Sequence, residues 1–210
     1  MHDLVQGTPE WLAARAGSLG ASQIADVLAK TKTGWGASRA NVKARIICER
    51  LTGNPVETFS NAAMQRGTEL EPQARAMYSF HTGHDVTETG IVLHPTIART
   101  HCSPDGLIGD TGMVEIKCCN AARHIELLTG SEPEDRYVKQ CLWQLACTGR
   151  EWVDLAYFHP DLPDAMQLHI VHIKRDAAVI EEMEAVVSEF LGEVAAALDK
   201  LTAIYRAEAA

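Results

Sequence analysis

The feature that most constrains the fold is a strand–turn–strand pattern in the middle of the chain. Residues 106–108 and 113–117 are short, mostly apolar and partly β-branched. Between them lies Asp110-Thr111-Gly112, a sequence typical of a hairpin turn. The second stretch is too apolar to be a freely solvated edge strand. The pattern therefore predicts two adjacent strands within a buried sheet.

Polar side chains occupy defined places on this predicted hairpin. Successive side chains of a strand point to opposite faces, so Glu115 and Lys117 share a face and Ile116 lies on the other. Asp105 precedes Glu115 by ten residues, a distance that suits neighbouring strands. We therefore expect the two carboxylates to lie close together, with an ammonium group beside them.

Helical patterns surround the predicted strands. We predict helices at residues 8–15, 22–28, 39–51, 68–80, 134–148 and 177–208. Further strands are predicted at residues 87–94, around 99–102, at 153–158 and at 166–173. This order indicates a mixed α/β (α+β) fold, with a central mixed β-sheet flanked by helices and a long C-terminal helix.

The length favours one domain over residues 1–210. Its parts are an N-terminal helical region at about 8–85, a sheet core at about 86–175 and the C-terminal helix at about 177–208. No stretch approaches about 18 consecutive apolar residues, and the N-terminus does not resemble a secretory signal. The six cysteines form no CxxC pair, which argues against a zinc ribbon and favours reduced thiols in a cytoplasmic protein.

The net charge of −9 is unusual for a nucleic-acid enzyme, because binding to phosphates requires Lys and Arg. The charges are unevenly distributed, however. Residues 1–50 contain seven Lys and Arg against four Asp and Glu, whereas residues 176–210 contain two against eight. A basic N-terminal third is compatible with a DNA cleft on one face.

The hairpin residues fit the chemistry of phosphodiester hydrolysis. Mg²⁺ in such enzymes is bound through one or two carboxylates and keeps open positions for water and phosphate. Asp105 and Glu115 could supply the carboxylates and the Ile116 carbonyl a further oxygen. Lys117 could orient the water or stabilise negative charge. A lone Glu-x-Lys triplet is also common on surface strands, and Asp-Gly can be only a turn.

Two other pairs of polar residues have alternative interpretations. Glu69 and Glu71 could contribute to the site or merely compensate a helix dipole at the start of the predicted helix. Gln140 and Gln144 are four residues apart on a predicted helix and share a face. They are solvated glutamines unless the metal site lies next to them, where Gln140 could orient water or DNA.

Six short motifs carry a resemblance to a known family. They are Glu-Trp-Leu-x-x-Arg at 10–15, Gly-Ala-Ser at 20–22, Arg-Gly-x-x-x-Glu-x-x-Ala-Arg at 66–75, Cys-Ser-Pro-Asp-Gly at 102–106, Glu-Ile-Lys at 115–117 and Tyr-x-x-Gln at 137–140. In this order and spacing they resemble the viral-type alkaline exonucleases, the phage lambda exonuclease family within the PD-(D/E)xK nuclease superfamily. The resemblance covers roughly residues 8–205.

The resemblance implies a metal-dependent 5′→3′ exonuclease that acts on linear double-stranded DNA, releasing mononucleotides and leaving 3′ overhangs for single-strand-annealing recombination. It implies Mg²⁺ as cofactor, with Mn²⁺ as a substitute, and two ions per active site. The expected partners are double-stranded DNA ends, two further copies in a homotrimeric ring, and a single-strand annealing protein. The expected location is the cytosol of a bacterium that carries the phage or prophage.

The resemblance also implies roles for individual residues. Asp105, Glu115 and the Ile116 backbone carbonyl would be metal ligands, with Glu71 close to the second metal. Lys117 and Gln140 would complete the catalytic set. The residues that would contact DNA are Arg15, Ser22 and Ser103 in a pocket for the 5′-phosphate, Lys32 on a loop over the duplex, Met64 at the terminal base pair, and Arg123 after the catalytic strand.

Two positions depart from the family pattern. Leu142 replaces a second glutamine, which leaves open whether Gln144 compensates, and Cys119 stands where proline is common. Two other functions remain as alternatives. One is a different PD-(D/E)xK nuclease, such as an endonuclease or a helicase-associated nuclease module. The other is a non-catalytic DNA-end-binding subunit, against which the intact Asp105, Glu115 and Lys117 argue.

Overall fold

The computed structural model describes residues 4, 6–56 and 62–208, and for residues 63, 64 and 206–208 the backbone alone. The helices are α1 (Pro9–Arg15), α2 (Ile24–Leu28), α3 (Ala37–Thr52), α4 (Ala62–Thr82), α5 (Ala121–Leu128), α6 (Asp135–Thr148) and α7 (Ala177–Glu208), with 3₁₀ turns at Ala21–Gln23 and Asp164–Met166. The strands are β1 (Leu19–Gly20), β2 (Lys30–Thr31), β3 (Gly34–Trp35), β4 (Val86–Thr87), β5 (Val92–Leu93), β6 (Thr100–Cys102), β7 (Gly106–Ile108), β8 (Gly112–Lys117), β9 (Trp152–Phe158) and β10 (Leu168–Lys174).

Within the described residues, the central sheet has five strands in the order β10-β9-β8-β7-β4. Strands β8 and β9 are parallel and the other neighbours are antiparallel. The parallel pair requires a crossover, which α5 and α6 provide. The predicted mixed sheet with flanking helices and a long C-terminal helix is confirmed.

The register of the hairpin β7–β8 positions the two motif carboxylates. Gly106 pairs with Val114, and continuing this register by one residue places Asp105 opposite Glu115. The two residues therefore lie side by side where the first strand begins and the second approaches its end.

The two faces of β8 pack against different helices. Met113 belongs to the larger core cluster, which includes buried residues of α6 and α7. Val114 and Ile116 belong to a second cluster with residues of α4. Glu115 has the same orientation as Met113 because strand side chains alternate, so it faces α6.

A second sheet, β1-β6-β5, lies in front of the motif hairpin in the chain order. Strand β1 is parallel to β6, and β5 is antiparallel to β6. The chain just before β1 comes from α1, so this small sheet links α1 to the segment that leads into Asp105. Strands β2 and β3 form a separate exposed hairpin.

The helix ends follow local capping rules at several predicted places. The Thr8 hydroxyl accepts a hydrogen bond from the Trp11 backbone N–H, and Pro9 begins α1. Gly53 ends α3 in the left-handed conformation, with a φ of 72°. In α7, Ile180, Met183, Val187, Phe190 and Val194 are buried. In the described part of the chain no helix has the length and apolarity needed to cross a membrane.

Three secondary-structure predictions are wrong in detail, and one helix was not predicted. Helix α4 begins at Ala62 rather than at 68 and contains Pro72 in its interior. The predicted strand at 87–94 is two short strands in different sheets, and the loop predicted around Lys32 is the turn of the short β2–β3 hairpin. Helix α5 was not predicted. Its Asn120 N-cap accepts from the Arg123 N–H, but eight residues are too few for a clear helical period.

Helix α4 continues through Pro72, and its early start has one consequence for the site. Burial of Ala74 and Tyr78 against the central sheet stabilises the part of the helix that follows Pro72. Glu69 and Glu71 consequently lie about two turns from the helix N-terminus. A helix dipole acts mainly within the first turn, so dipole compensation does not explain these glutamates.

Candidate active site

Asp105 and Glu115 form the buried floor of the site. Asp105 is 8% exposed and Glu115 is 2% exposed. The Asp105 Oδ2 atom accepts a hydrogen bond of 2.6 Å from the Ile116 backbone N–H. Burial and the neighbouring Glu115 charge raise the pKa of Asp105 well above its usual range, although Lys117 opposes this shift. Two carboxylates in this setting form a strong site for a positive charge.

Three donors from two elements converge on Glu115. Its Oε1 atom accepts from Lys117 Nζ at 2.6 Å and from Gln140 Nε2 at 2.5 Å. Its Oε2 atom accepts from Gln144 Nε2 at 2.5 Å. The glutamines lie one turn apart on α6, and the carboxylate lies across from them on β8. This arrangement holds the Glu115 side chain in one orientation.

Lys117 is enclosed between the carboxylates and an aromatic ring. Its Nζ atom lies 4.7 Å from the centre of the Tyr137 ring. Burial alone would lower the pKa of Lys117, but the charges of Glu115 and Asp105 outweigh it and raise the pKa above the ordinary value. The lysine is therefore a permanent cation beside the two acids.

Glu71 extends the acidic site toward α4. Burial raises its pKa, Arg75 opposes the shift, and Glu115 adds to it. Arg75 Nη2 lies 2.7 Å from Glu71 Oε1. Glu71 thus interacts electrostatically with the floor of the site while an ion pair on its own helix holds it in place.

The donor set fits a divalent cation that brings its own further ligands. Among the residues that the structure describes, no three His, Cys, Asp or Glu side chains are grouped closely enough to hold a metal by themselves. Asp105, Glu115 and the Ile116 carbonyl could bind Mg²⁺, which usually keeps several water or phosphate ligands. The mutual repulsion that raises the pKa of Asp105 would be relieved by such a cation.

A cavity of about 810 Å³ opens above this floor. Most of the residues predicted for DNA contact line it, together with the residues predicted for catalysis and metal binding: Arg15, Ser22, Ser103, Arg123, Glu71, Asp105, Glu115, Ile116, Lys117 and Gln140. The Ser103 Oγ atom is buried and has no hydrogen-bond partner among the described residues. The structure therefore brings together residues separated by more than a hundred positions in the chain.

Two predicted DNA-contact residues are not placed in this cavity. Lys32 lies in the turn of the exposed β2–β3 hairpin and is not among the lining residues. Met64 lies in the first turn of α4, but its side chain is outside the described residues. Their predicted roles stay predictions.

Arg15 enters the cavity from the end of α1. Its guanidinium carbon lies 3.8 Å from the centre of the Trp11 ring, one turn earlier on the helix. Its Nε donates to His101 Nε2 at 3.0 Å. Burial and the nearby Arg45 lower the pKa of Arg15 to about 10, although Glu49 opposes the shift. The group stays charged at neutral pH.

Arg123 lines the cavity but already binds protein groups with all three nitrogens. Its Nε donates to Glu134 at 2.8 Å, Nη1 to Glu126 at 3.1 Å and Nη2 to the Glu132 carbonyl at 2.6 Å. The hydrogen bond to Glu134 is the main cause of a raised pKa for Arg123. Contact with DNA would require this network to rearrange.

Sequence reasoning left two residues of the site unassigned. The role of Gln144 was left open. Its Nε2 atom donates to the Glu115 carboxylate, as that of Gln140 does, so both glutamines orient Glu115. The spacing of the two glutamines was the available signal. His101, the partner of Arg15, was not singled out, and a lone histidine in a short strand offers no such signal.

The fold and the site together define a nuclease of the viral recombinase class. A family model described as "YqaJ-like viral recombinase domain" matches residues 10–151, more than half of the chain. The chain belongs to that family. The resemblance to the viral-type alkaline exonucleases predicted from the motifs is confirmed, and with it an exonuclease enzyme linked to recombination.

Solved structures agree with this assignment. The alkaline exonuclease LHK-Exo from Laribacter hongkongensis is 50% identical, with a TM-score of 0.88 over 97% of this chain and 100% of that chain. LHK-Exo in complex with dAMP gives 51% identity with the same TM-score and coverage. A phage-related exonuclease from Haemophilus somnus 129PT is 13% identical, with a TM-score of 0.69 over 88% of this chain and 96% of that chain, and shows the fold alone. No curated protein gives a significant match.

Proposed function

We propose that the protein is a Mg²⁺-dependent 5′→3′ exonuclease on linear double-stranded DNA. It would release mononucleotides and leave 3′ overhangs for single-strand-annealing recombination. The observation that carries the proposal is the convergence of Asp105, Glu115 and Lys117 on the floor of a cavity whose wall contains Arg15 and Ser103. A set of buried acids with a permanent cation supports hydrolysis, and the basic wall supports binding of a phosphate.

The chain's own residues would divide the hydrolytic work. When bound by Asp105, Glu115 and the Ile116 carbonyl, the cation would activate water and offset charge on the phosphate oxygens. Lys117 Nζ, held at Glu115 Oε1, would orient the attacking water or stabilise developing negative charge. Gln140 Nε2 would fix the orientation of Glu115 and help to position water. Glu71 is the candidate ligand for a second metal ion. Mn²⁺ would serve as a substitute for Mg²⁺.

The wall of the cavity supports recognition of a DNA end. Arg15 provides a guanidinium group, which suits phosphate oxygens geometrically. Ser103 adds a hydroxyl with no partner among the described residues, and Ser22 is exposed at the same wall. We assign these three residues to the terminal 5′-phosphate. Lys32, Met64 and Arg123 remain candidates for contacts with the duplex and its terminal base pair.

The proposed product agrees with a relative. LHK-Exo, which is 51% identical, was crystallised with dAMP, a nucleoside monophosphate. A volume of about 810 Å³ is sufficient for a terminal nucleotide above the acidic floor. Both observations support release of mononucleotides rather than of longer fragments.

The proposal includes an assembly, a partner and a location. We propose a homotrimeric ring around DNA, which would keep the enzyme on its substrate between cleavage steps. We also propose that a single-strand annealing protein takes up the 3′ overhang, in the cytosol of a bacterium carrying the phage or prophage. The support is the family resemblance, and the mass of the protein in solution tests the ring.

A single digestion experiment tests the function. A linear duplex labelled at either the 5′ or the 3′ terminus is incubated with Mg²⁺, with Mn²⁺ and with EDTA, alongside a covalently closed circle. Early release of the 5′ label as mononucleotide with either metal, an intact circle and no reaction in EDTA are expected. Nicking of the circle would favour the endonuclease alternative. Binding of ends without any digestion would favour the non-catalytic subunit.

A further inference from the structure

His101 links the proposed phosphate wall to the interior of the protein. It lies in β6 and is 2% exposed. Its Nε2 atom accepts the 3.0 Å hydrogen bond from Arg15 Nε, and its Nδ1 atom lies 2.9 Å from Ser18 Oγ. The imidazole therefore bridges the segment between α1 and β1 and the guanidinium group that enters the cavity.

The hydrogen bonds define the tautomer of this imidazole. A guanidinium nitrogen can only donate, so Nε2 must be the unprotonated acceptor. The ring proton then lies on Nδ1 and is donated to the Ser18 hydroxyl. Burial, followed by the charges of Arg15 and Arg45, lowers the pKa of His101 to about 3. The imidazole consequently stays neutral, and able to accept from Arg15, at any pH at which a nuclease of this kind would be assayed.

Gly20 lies against the Arg15–His101 pair and leaves little room for a side chain. A Cβ atom added at Gly20 would lie 3.2 Å from Arg15 Nη2 and 3.3 Å from His101 Nε2. These contacts are tighter than ordinary packing, so a side chain here would push the two groups apart. On its other side the guanidinium group stacks on Trp11. Gly20 thus permits a close approach that fixes the plane of the guanidinium group.

Among the hydrogen bonds of the described residues, the Arg15 guanidinium group uses only its Nε nitrogen. Within the described residues, neither Nη atom of Arg15 donates a hydrogen bond to the protein. Arg15 lines the cavity beside Ser103 and Ser22. A guanidinium group held through Nε, with both Nη groups unused, has the geometry that binds two phosphate oxygens at once.

We propose that His101 is a positioning residue that acts through Arg15. Its neutral imidazole holds Nε so that both Nη groups are presented to the terminal 5′-phosphate of the DNA. This inference rests on the proposed function and adds to it a residue that determines selectivity for phosphorylated ends. Without the acceptor at Nε2, Arg15 would keep its charge but lose its fixed orientation.

The test measures binding in the absence of hydrolysis. The affinities for two otherwise identical duplexes, one 5′-phosphorylated and one with a 5′-hydroxyl, are compared by fluorescence anisotropy in EDTA. Because hydrogen bonds to charged groups are among the stronger ones, wild type should prefer the phosphorylated end by at least about tenfold. His101→Ala should reduce the preference to about twofold, close to the value for Arg15→Ala. His101→Gln, whose Oε1 can accept from Arg15, should restore most of it.

A matched control separates positioning from a general loss of stability. His94 is also buried, stacks on Trp143 at 5.2 Å and pairs with Glu184, but does not line the cavity. His94→Ala should keep the full preference for phosphorylated ends. Gly20→Ala, which removes no hydrogen-bonding side chain but pushes Arg15 and His101 apart, should lower the preference and serves as a second variant if His101→Ala does not fold.

Three outcomes would overturn the inference. They are an unchanged preference in His101→Ala, an equal loss in His94→Ala, and no preference in wild type. Because the readout is binding in EDTA, a wild-type protein that prefers phosphorylated ends but digests no DNA would refute the proposed hydrolysis, and the His101 variants would still decide the role of His101.

Discussion

Acid stability offers a quantitative prediction about His101. The native pKa of about 3 lies below the ordinary value of 6.5 for an unfolded chain. Between these values the unfolded chain binds a proton that the native protein does not. The stability that comes from the neutral His101 is therefore fully present above about pH 6.5. It decreases as the pH falls, and this decrease ends below about pH 3.

The magnitude follows from the size of the shift. Each pKa unit corresponds to about 1.36 kcal/mol. At about pH 4.5, two units below the unfolded value, His101 should lower the free energy of unfolding by about 2.7 kcal/mol relative to neutral pH. The side chain is almost completely buried, so solvent screening should reduce this figure little. The cause is the cost of placing a positive imidazole in the interior beside Arg15 and Arg45.

Urea unfolding at about pH 7 and about pH 4.5 measures this effect. The loss of stability between the two pH values should be about 2–3 kcal/mol smaller in His101→Gln than in wild type. His81→Gln replaces an exposed imidazole on α4 and serves as the matched control. Parallel losses in wild type and His101→Gln would show that the native imidazole accepts a proton readily. The neutral tautomer assigned from the Arg15 contact would then be wrong.

Three further predictions concern the site and its approach. Lys117→Ala should abolish hydrolysis while DNA binding stays nearly intact; a matching loss of binding, measured by anisotropy, would contradict its catalytic role. Gln144→Leu removes a donor to the buried Glu115 carboxylate and should cost about 1.5–3 kcal/mol in urea unfolding, with a reduced rate of digestion; wild-type stability and rate would contradict this. Lys32→Ala should reduce the slope of log affinity against log salt by about one, whereas Lys43→Ala, already paired with a carboxylate of α7, should not. Equal slopes for the two lysine variants would remove Lys32 from the DNA contacts.

The hairpin β7–β8 could be predicted because its determinants are local. Asp110-Thr111-Gly112 supplies the turn, and alternation in the second strand separates Glu115 from Ile116. The Ile116 N–H reaches the Asp105 carboxylate across only eleven positions of sequence. Neighbouring antiparallel strands joined by a short turn have one register that keeps the apolar residues buried. The relation of the two carboxylates therefore follows from a short stretch of chain.

The supporting residues could not be predicted in this way because their partners are distant. Arg15 and His101 are 86 positions apart, and Gln144 and Glu115 are 29 positions apart. The spacing of two glutamines showed that they share a helix face, but not which strand that face meets. That meeting depends on the crossover through α5 and α6 that makes β8 and β9 parallel. The motif residues carry local information, whereas the groups that hold them depend on tertiary packing.

The charge of the chain has a related explanation. Most guanidinium groups of the first fifty residues bind partners within the protein: Arg39 pairs with a carboxylate of α7, Arg45 with one on its own helix, and Arg50 donates to a backbone carbonyl. The local excess of basic residues therefore does not create a broad basic face. Among the described residues this leaves Arg15 at the cavity, and Lys30 and Lys32 on the exposed β2–β3 hairpin, to meet phosphate. If DNA is the substrate, attraction concentrated at so few positions should favour a defined end of the duplex over its length, which is what an exonuclease requires.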